Sequence, residues 1–168
     1  KLYEKLGSHM MEYKGKRGVH FAVWAPNAQT VSVCGDFNAY DNDTHPLKLR
    51  GDNSGIWEGF IENVEQGLTY KYHIVSKFHD IVHDKSDPFA FYSEKPSKSA
   101  SRVWKLDGYQ WQDEAWMKKR YKRNAHDAPI SVYEMHLGSW KRKVEEDNRY
   151  LSYSELAVEL LAYLQEMN

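Results

Sequence analysis

The sequence predicts a mainly β protein: an antiparallel β-sandwich over residues 1–106, then a linker, then the opening strand and helix of a separate α/β domain. Three features of the 168 residues point there. Short runs of alternating apolar and polar residues, divided by turn clusters, recur between Val19 and Ser76, the pattern of a sandwich. A mostly apolar run, with Val132 and Tyr133 at its centre, occupies residues 130–137, as in a strand buried on both faces. A single capped, amphipathic helix follows it, and no further strand comes after that helix.

Taken in order, no element is assigned before Val19; Gly7, Ser8, His9 and Met10 resemble a tag-cleavage scar but sit in continuous sequence and are read as native. Val19, Phe21 and Val23 alternate with His20, Ala22 and Trp24 in a strand closed by Pro26 and Asn27. Residues 30–34 form the next, with Val31 and Val33 on one face. A polar loop at residues 35–43 carries Phe37 and Tyr40. Leu47 and Leu49 alternate with Lys48 and Arg50, and residues 56–62 and 69–76 make two further strands. Residues 78–98 read as irregular, a length that marks a functional or packed connector. A last strand is expected within 101–106, and residues 107–128, rich in Trp and charge, read as linker. At the far end Ser152 and Glu155 form a capping box. Behind it Tyr153, Leu156, Ala157, Leu160, Leu161, Leu164 and Met167 share one helical face. That stripe needs a sheet, and only residues 130–137 are present to supply one, so residues 129–168 are expected to be the incomplete start of a larger domain.

Composition narrows the function. With 23 basic and 24 acidic residues there is no field to hold a polyanion, which argues against nucleic acid and acidic membranes as partners. A lone cysteine, Cys34, excludes an internal disulfide and suits a reducing compartment, and no apolar run has the length of a membrane span or secretory core. Cytoplasm is therefore the expected location. Aromatic residues are unusually abundant, with six Trp and twelve Tyr. Their flat apolar faces and polar handles serve packing and equally serve the grip of a sugar ring.

Few residues offer chemistry. His79 and His83 have the four-residue spacing of a metal pair, but no third ligand keeps them company, so a solvated hairpin is expected and no metal. Glu145, Glu146 and Asp147 read as a solvated acidic face. There is no glycine-rich phosphate loop and no nucleophile elbow, hence no cofactor and no catalytic constellation. Tyr40, flanked by Asn38, Asp41 and Asn42, has what a neutral sugar needs: a stacking face beside groups that bond hydroxyls. Trp57 and Lys71, on neighbouring strands, extend this candidate face, although Trp57 is also a candidate for the core.

The chain resembles the amino-terminal part of the bacterial 1,4-alpha-glucan (glycogen) branching enzymes. The likeness rests on Tyr-Glu-Lys-Leu-Gly from Tyr3, Phe-Ala-Val-Trp-Ala-Pro-Asn from Phe21, Gly-Asp-Phe-Asn from Gly35, Asp-Pro-Phe-Ala-Phe-Tyr from Asp87, Ala-Ser-Arg-Val-Trp from Ala100 and Tyr-Glu-Met-His-Leu-Gly-Ser-Trp from Tyr133. The resemblance implies an immunoglobulin-like carbohydrate-binding module followed by the first strand and helix of a truncated (β/α)8 barrel. It implies an α-1,4-glucan or glycogen as ligand and the missing barrel as partner. The parent reaction would move a cleaved chain to a 6-hydroxyl through a carboxylate nucleophile and an acid/base carboxylate. Those carboxylates are expected beyond Asn168, so the fragment should be inactive. Glu134 and His136 then fall near the carboxyl end of the first barrel strand, the face where barrel sites assemble, in a supporting role. The family commonly places Trp where Tyr40 stands here. The alternatives are a non-catalytic glycogen-targeting or regulatory module, the amino-terminal part of another alpha-amylase-family enzyme, and an immunoglobulin-like interaction domain without a sugar site.

Overall fold

The computed structural model describes residues 1–78 and 81–167. Its chain divides into two compact units, Lys1–Gln110 and Trp111–Asn168, and each is described by itself.

The first unit is two antiparallel sheets. One has the order β1-β2-β5-β4, built from β1 (Gly7–Tyr13), β2 (Lys16–Trp24), β4 (Lys48–Leu49) and β5 (Ile56–Glu62). The other runs β3-β6-β9-β8, from β3 (Ala28–Gly35), β6 (Thr69–Ser76), β8 (Tyr92–Ser93) and β9 (Ser101–Arg102), while β7 (Val82–Lys85) also pairs with β6. One edge of β6 carries β3; the other is shared, with β9 opposite Thr69 and Tyr70 and β7 opposite Tyr72 to Val75. Alternation decides which residues enter the core. Val19, Phe21, Val23, Trp57 and Ile61 from one sheet meet Val31, Val33, Tyr70, Tyr72 and Val103 from the other. Each such side chain, fully buried, contributes about 1.5–3 kcal/mol of transfer free energy.

The chain changes sheets at Leu47. Pro46 bridges Ser32 of β3, the Leu47 amide donates to the Val31 carbonyl at 2.8 Å, and Lys48 already pairs with Glu58 of β5. This crossing explains why Leu47 is buried while Leu49, two residues on, is exposed.

Several expectations are corrected. β1 has no clear alternation because it is an edge strand, joined to β2 through Lys14 and Gly15, both at positive φ, as a two-residue hairpin turn requires. The irregular stretch 78–98 contains β7 and β8; both are short and exposed, and only the ladder of a neighbouring strand makes them regular. His83 lies on β7, whereas His79 and Asp80 fall outside the described residues.

In the second unit the stretch expected to be linker holds a helix, α1 (Glu114–Arg123), none of whose residues is buried. A two-strand antiparallel hairpin, β10 (Arg142–Lys143) with β11 (Arg149–Tyr150), leads to α2 (Tyr153–Met167). The capping box is formed as the sequence predicts: the Glu155 amide donates to Ser152 Oγ at 3.3 Å, and the Ser152 amide donates to Glu155 Oε2 at 2.8 Å. Arg149 grips the Glu155 carboxylate with two guanidinium nitrogens at 2.9 and 3.0 Å. Residues 130–137 form no strand among the described residues, and Ile130 and Val132 are 76% and 85% exposed. A parallel strand exists only by pairing, and the unit holds no partner for it. The apolar stripe of α2 is accordingly bare apart from Leu156, the one buried residue described between positions 111 and 167, and the half-buried Leu160. No helix of the described residues is long and apolar enough to cross a membrane.

Amide hydrogen exchange should separate the two units: the amides of β2, β3 and β6 are expected to be protected well beyond those of residues 129–167, because opening free energy follows local burial. Equal protection in both would contradict this account.

Candidate functional site

The loop after β3 is shaped by close approach and held by one side chain. Gly35 is extended and lies so near the neighbouring strand that a Cβ would meet the Thr69 carbonyl oxygen at 2.2 Å. The chain then makes a single 3-10 turn over Asp36–Asn38 and enters left-handed backbone at Ala39 and Tyr40, with φ of 51° and 59°. Two consecutive non-glycine residues in that region cost roughly 1–2 kcal/mol each. Asn38 offsets the cost. Its Oδ1 accepts the Gly35 amide at 2.8 Å, and its Nδ2 donates to the carbonyls of Val33 and Asp41 at 3.1 and 2.9 Å. The Tyr40 amide closes the turn on the Gly35 carbonyl at 2.9 Å.

This turn sets the Tyr40 ring half-exposed, with its hydroxyl 2.5 Å from Thr69 Oγ1. The Thr69 amide in turn donates to Asp36 Oδ2 at 2.7 Å. Tyr40, Asp36, Thr69, Lys71 and Arg102 therefore line one open depression of about 560 Å³, bounded by the loop from Glu94 to Ala100. A ring face, a carboxylate, a hydroxyl and two cations suit a neutral, hydroxyl-rich ligand.

The predicted residues fare differently. Tyr40 and Lys71 come together. Asn38 is committed to holding the loop, with both of its Nδ2 hydrogens engaged by backbone carbonyls. Trp57 is in the core: it is 8% exposed and its Nε1 donates to the Ala25 carbonyl at 3.0 Å, so it offers no ring face to a ligand. Its phase with Ile61 along β5 was a signal for that placement. Glu134 and His136 belong to the second unit and are exposed there, with His136 Nδ1 3.0 Å from Ser139 Oγ. Asp36, Thr69 and Arg102 were missed. Asp36 could have been found from Gly-Asp-Phe-Asn, whereas Arg102 reaches the depression only through strand pairing. Among the described residues no group of three His, Cys, Asp or Glu is placed to hold a metal ion.

The far wall of the depression depends on a buried polar cluster. The hydroxyls of Tyr70 and Tyr72 donate to Asp87 Oδ2 at 2.6 and 3.1 Å. Asp87 Oδ1 accepts the Phe89 amide at 2.8 Å, and the Asp87 amide donates to Ser101 Oγ at 2.8 Å. Burial pushes the Asp87 carboxyl above its usual range, against the pull of the tyrosine hydroxyls. Burial and the adjacent carboxylate hold both phenols far above theirs.

Two antiparallel sheets packed face to face, with a loop-borne aromatic ring and polar groups on the outer face of one of them, define a β-sandwich module. Residues 5–90 match the family Carbohydrate-binding module 48 (Isoamylase N-terminal domain), and the chain belongs to that family. It is 53% identical over 167 residues to the 1,4-alpha-glucan branching enzyme GlgB of Aquifex aeolicus and 51% identical to that of Albidiferax ferrireducens. Each match covers 99% of this chain and 26% of the relative, so the chain spans about a quarter of the length of these proteins. Among solved structures it is similar in fold to a putative alpha amylase from Salmonella typhimurium, with a TM-score of 0.54 and 23% identity over 81% of this chain and 20% of that one. Apo pullulanase from Klebsiella pneumoniae gives 0.50 and 24% over 68% of this chain and 12% of the other.

Removing the shared acceptor takes the carboxylate from two buried hydroxyls and leaves Tyr72 only its long 3.4 Å bond to the Ala22 carbonyl, so Asp87→Ala should lower unfolding free energy by about 3 kcal/mol in urea denaturation. The pH dependence has a definite sign. Because the folded carboxyl is raised, its stabilising contribution is complete below the unfolded value near 3.9 and is lost as pH rises through the folded value. The stability of wild type relative to Asp87→Asn should therefore fall as pH is raised from about 3 to 7. A difference that grows with pH would refute the assignment.

Proposed function

We propose that this chain is the glucan-binding, amino-terminal part of a 1,4-alpha-glucan branching enzyme, acting in the cytoplasm. In this account residues 1–106 form an immunoglobulin-like module that holds an α-1,4-glucan or glycogen chain on the Tyr40 face. Residues 107–128 connect it to residues 129–168, which supply the first strand and helix of a (β/α)8 barrel. Residues 130–137 then become a strand by pairing with barrel neighbours, and the bare stripe of α2 is covered by the same sheet. The catalytic carboxylates belong to that barrel, so this chain positions substrate and does no chemistry of its own. Glu134 and His136 serve as supporting groups at the mouth of the barrel.

The observation that carries the proposal is the meeting in one depression of Tyr40, Asp36, Thr69 and Lys71, four residues of the part that matches a carbohydrate-binding family. The Tyr40 ring supplies the stacking surface. Asp36 can accept hydroxyl hydrogens and Lys71 can donate, while Thr69, itself buried, fixes the Tyr40 hydroxyl. Trp57 has no part in it, and Asn38 acts through the shape of the loop.

Titration with maltoheptaose, followed by tryptophan fluorescence, tests this directly. Saturable binding is expected, weakened about tenfold or more in Tyr40→Ala, as for the loss of one aromatic stacking contact. Trp57→Ala should instead cost about 3 kcal/mol of stability, the typical cost of truncating a buried Trp. Absence of binding at millimolar sugar would defeat the proposal and make the module a packing partner only.

A further inference from the structure

The outer face of the β3-β6-β9-β8 sheet continues beyond Tyr40. Thr69, which meets the Tyr40 hydroxyl, is directly opposite Arg102 on β9, and Arg102 is directly opposite Tyr92 on β8. Opposed residues in an antiparallel ladder project to the same side of the sheet. Tyr40, Thr69, Arg102 and Tyr92 thus form a single row across the strands. At its end Tyr92 stacks on Trp104, with ring centroids 4.9 Å apart and planes 27° from parallel, yet the rings stay 48% and 36% exposed. Arg102 is steadied in the middle by a bond from Nη1 to the Gly67 carbonyl at 3.0 Å, which leaves most of its five N–H donors for a ligand.

We propose that this row is one extended binding track, in which an α-1,4-glucan held at Tyr40 continues over Arg102 to a second stacking platform at Tyr92 and Trp104. The proposal rests on the function proposed above for the Tyr40 face. Three strand spacings separate β3 from β8, about 14 Å in all, more than a disaccharide laid end to end can span. Aromatic platforms at both ends with a cation and a hydroxyl between them fit a chain of neutral sugar rings: apolar ring faces stack, and the intervening hydroxyls bond. Tyr92, Arg102 and Trp104 all lie beyond residues 5–90, outside the part matched by the family model. The track therefore selects for chain length, not merely for the presence of glucose.

Isothermal titration of the 168-residue chain with maltose and with maltoheptaose tests the track. In Tyr92→Ala the affinity for maltoheptaose should fall about five- to tenfold while that for maltose, held at Tyr40, changes less than about twofold. Retained maltose binding shows that the variant is folded, and Tyr92→Phe, which keeps the ring, should retain the wild-type affinity for both sugars. If both sugars bind wild type and Tyr40→Ala abolishes this, but Tyr92→Ala weakens the two equally or not at all, the track is overturned and the Tyr40 site stands. If wild type binds neither sugar, both proposals fall together.

Discussion

Two tyrosines buried on one strand dictate much of the sandwich. Tyr70 and Tyr72 point from β6 into the core and are fully buried. Each contributes a large apolar ring, and each brings a hydroxyl that cannot be left without an acceptor in a dry interior. Asp87 answers both with one oxygen. The Phe89 amide donates to its other oxygen, and the backbone amide of Asp87 donates to the Ser101 hydroxyl. Through the bond to Ser101 the segment after β7 is tied to the start of β9, and the irregular stretch between them becomes a fixed wall instead of a free loop. The polar cluster in the core is thus what places Glu94, Ala100 and Arg102 at the rim of the depression.

On the opposite rim, position is achieved by local strain that the surroundings overrule. Ala39 and Tyr40 both adopt left-handed backbone, which neither favours. Asn38 bonds backbone on both sides of the turn, and Gly35 lets β3 lie against Thr69 with no side chain between. Strained residues fixed by their neighbours are frequent at binding sites. Here the outcome is a ring that a ligand meets already set in place, so little conformational freedom remains to be lost on binding.

The second unit shows the reverse case, good local signals without tertiary support. Its capping box forms as written, and Arg149 and Lys143 surround Glu155, all on the surface where such pairs contribute little. The helix is formed and its stripe is present, but Leu156 alone among the described residues of that helix is buried. Tyr133, Trp140 and Tyr163 gather in edge-on and tilted contacts, with centroids 5.4 and 5.7 Å from Tyr163. Such a cluster holds the segment locally but cannot substitute for a sheet.

What the sequence determined by itself was whatever short-range chemistry can specify. Alternation within residues 56–62 and 69–76 marked β5 and β6 with their true ends, the Ser152–Glu155 pair marked the start of α2, and an aromatic residue amid polar ones marked Tyr40. Tertiary structure alone decided the rest. β1, β7 and β8 are too short, too exposed or too irregular to announce themselves, and exist because a neighbouring ladder completes them. α1 escaped notice because no face of it is buried, so it carries no apolar periodicity to read. Arg102 and Tyr92 join Thr69 only through register, a long-range property that sequence spacing does not encode. For residues 130–137 an apolar run expressed a preference for burial, but a strand is a property of pairs, and a run without a partner remains an exposed chain.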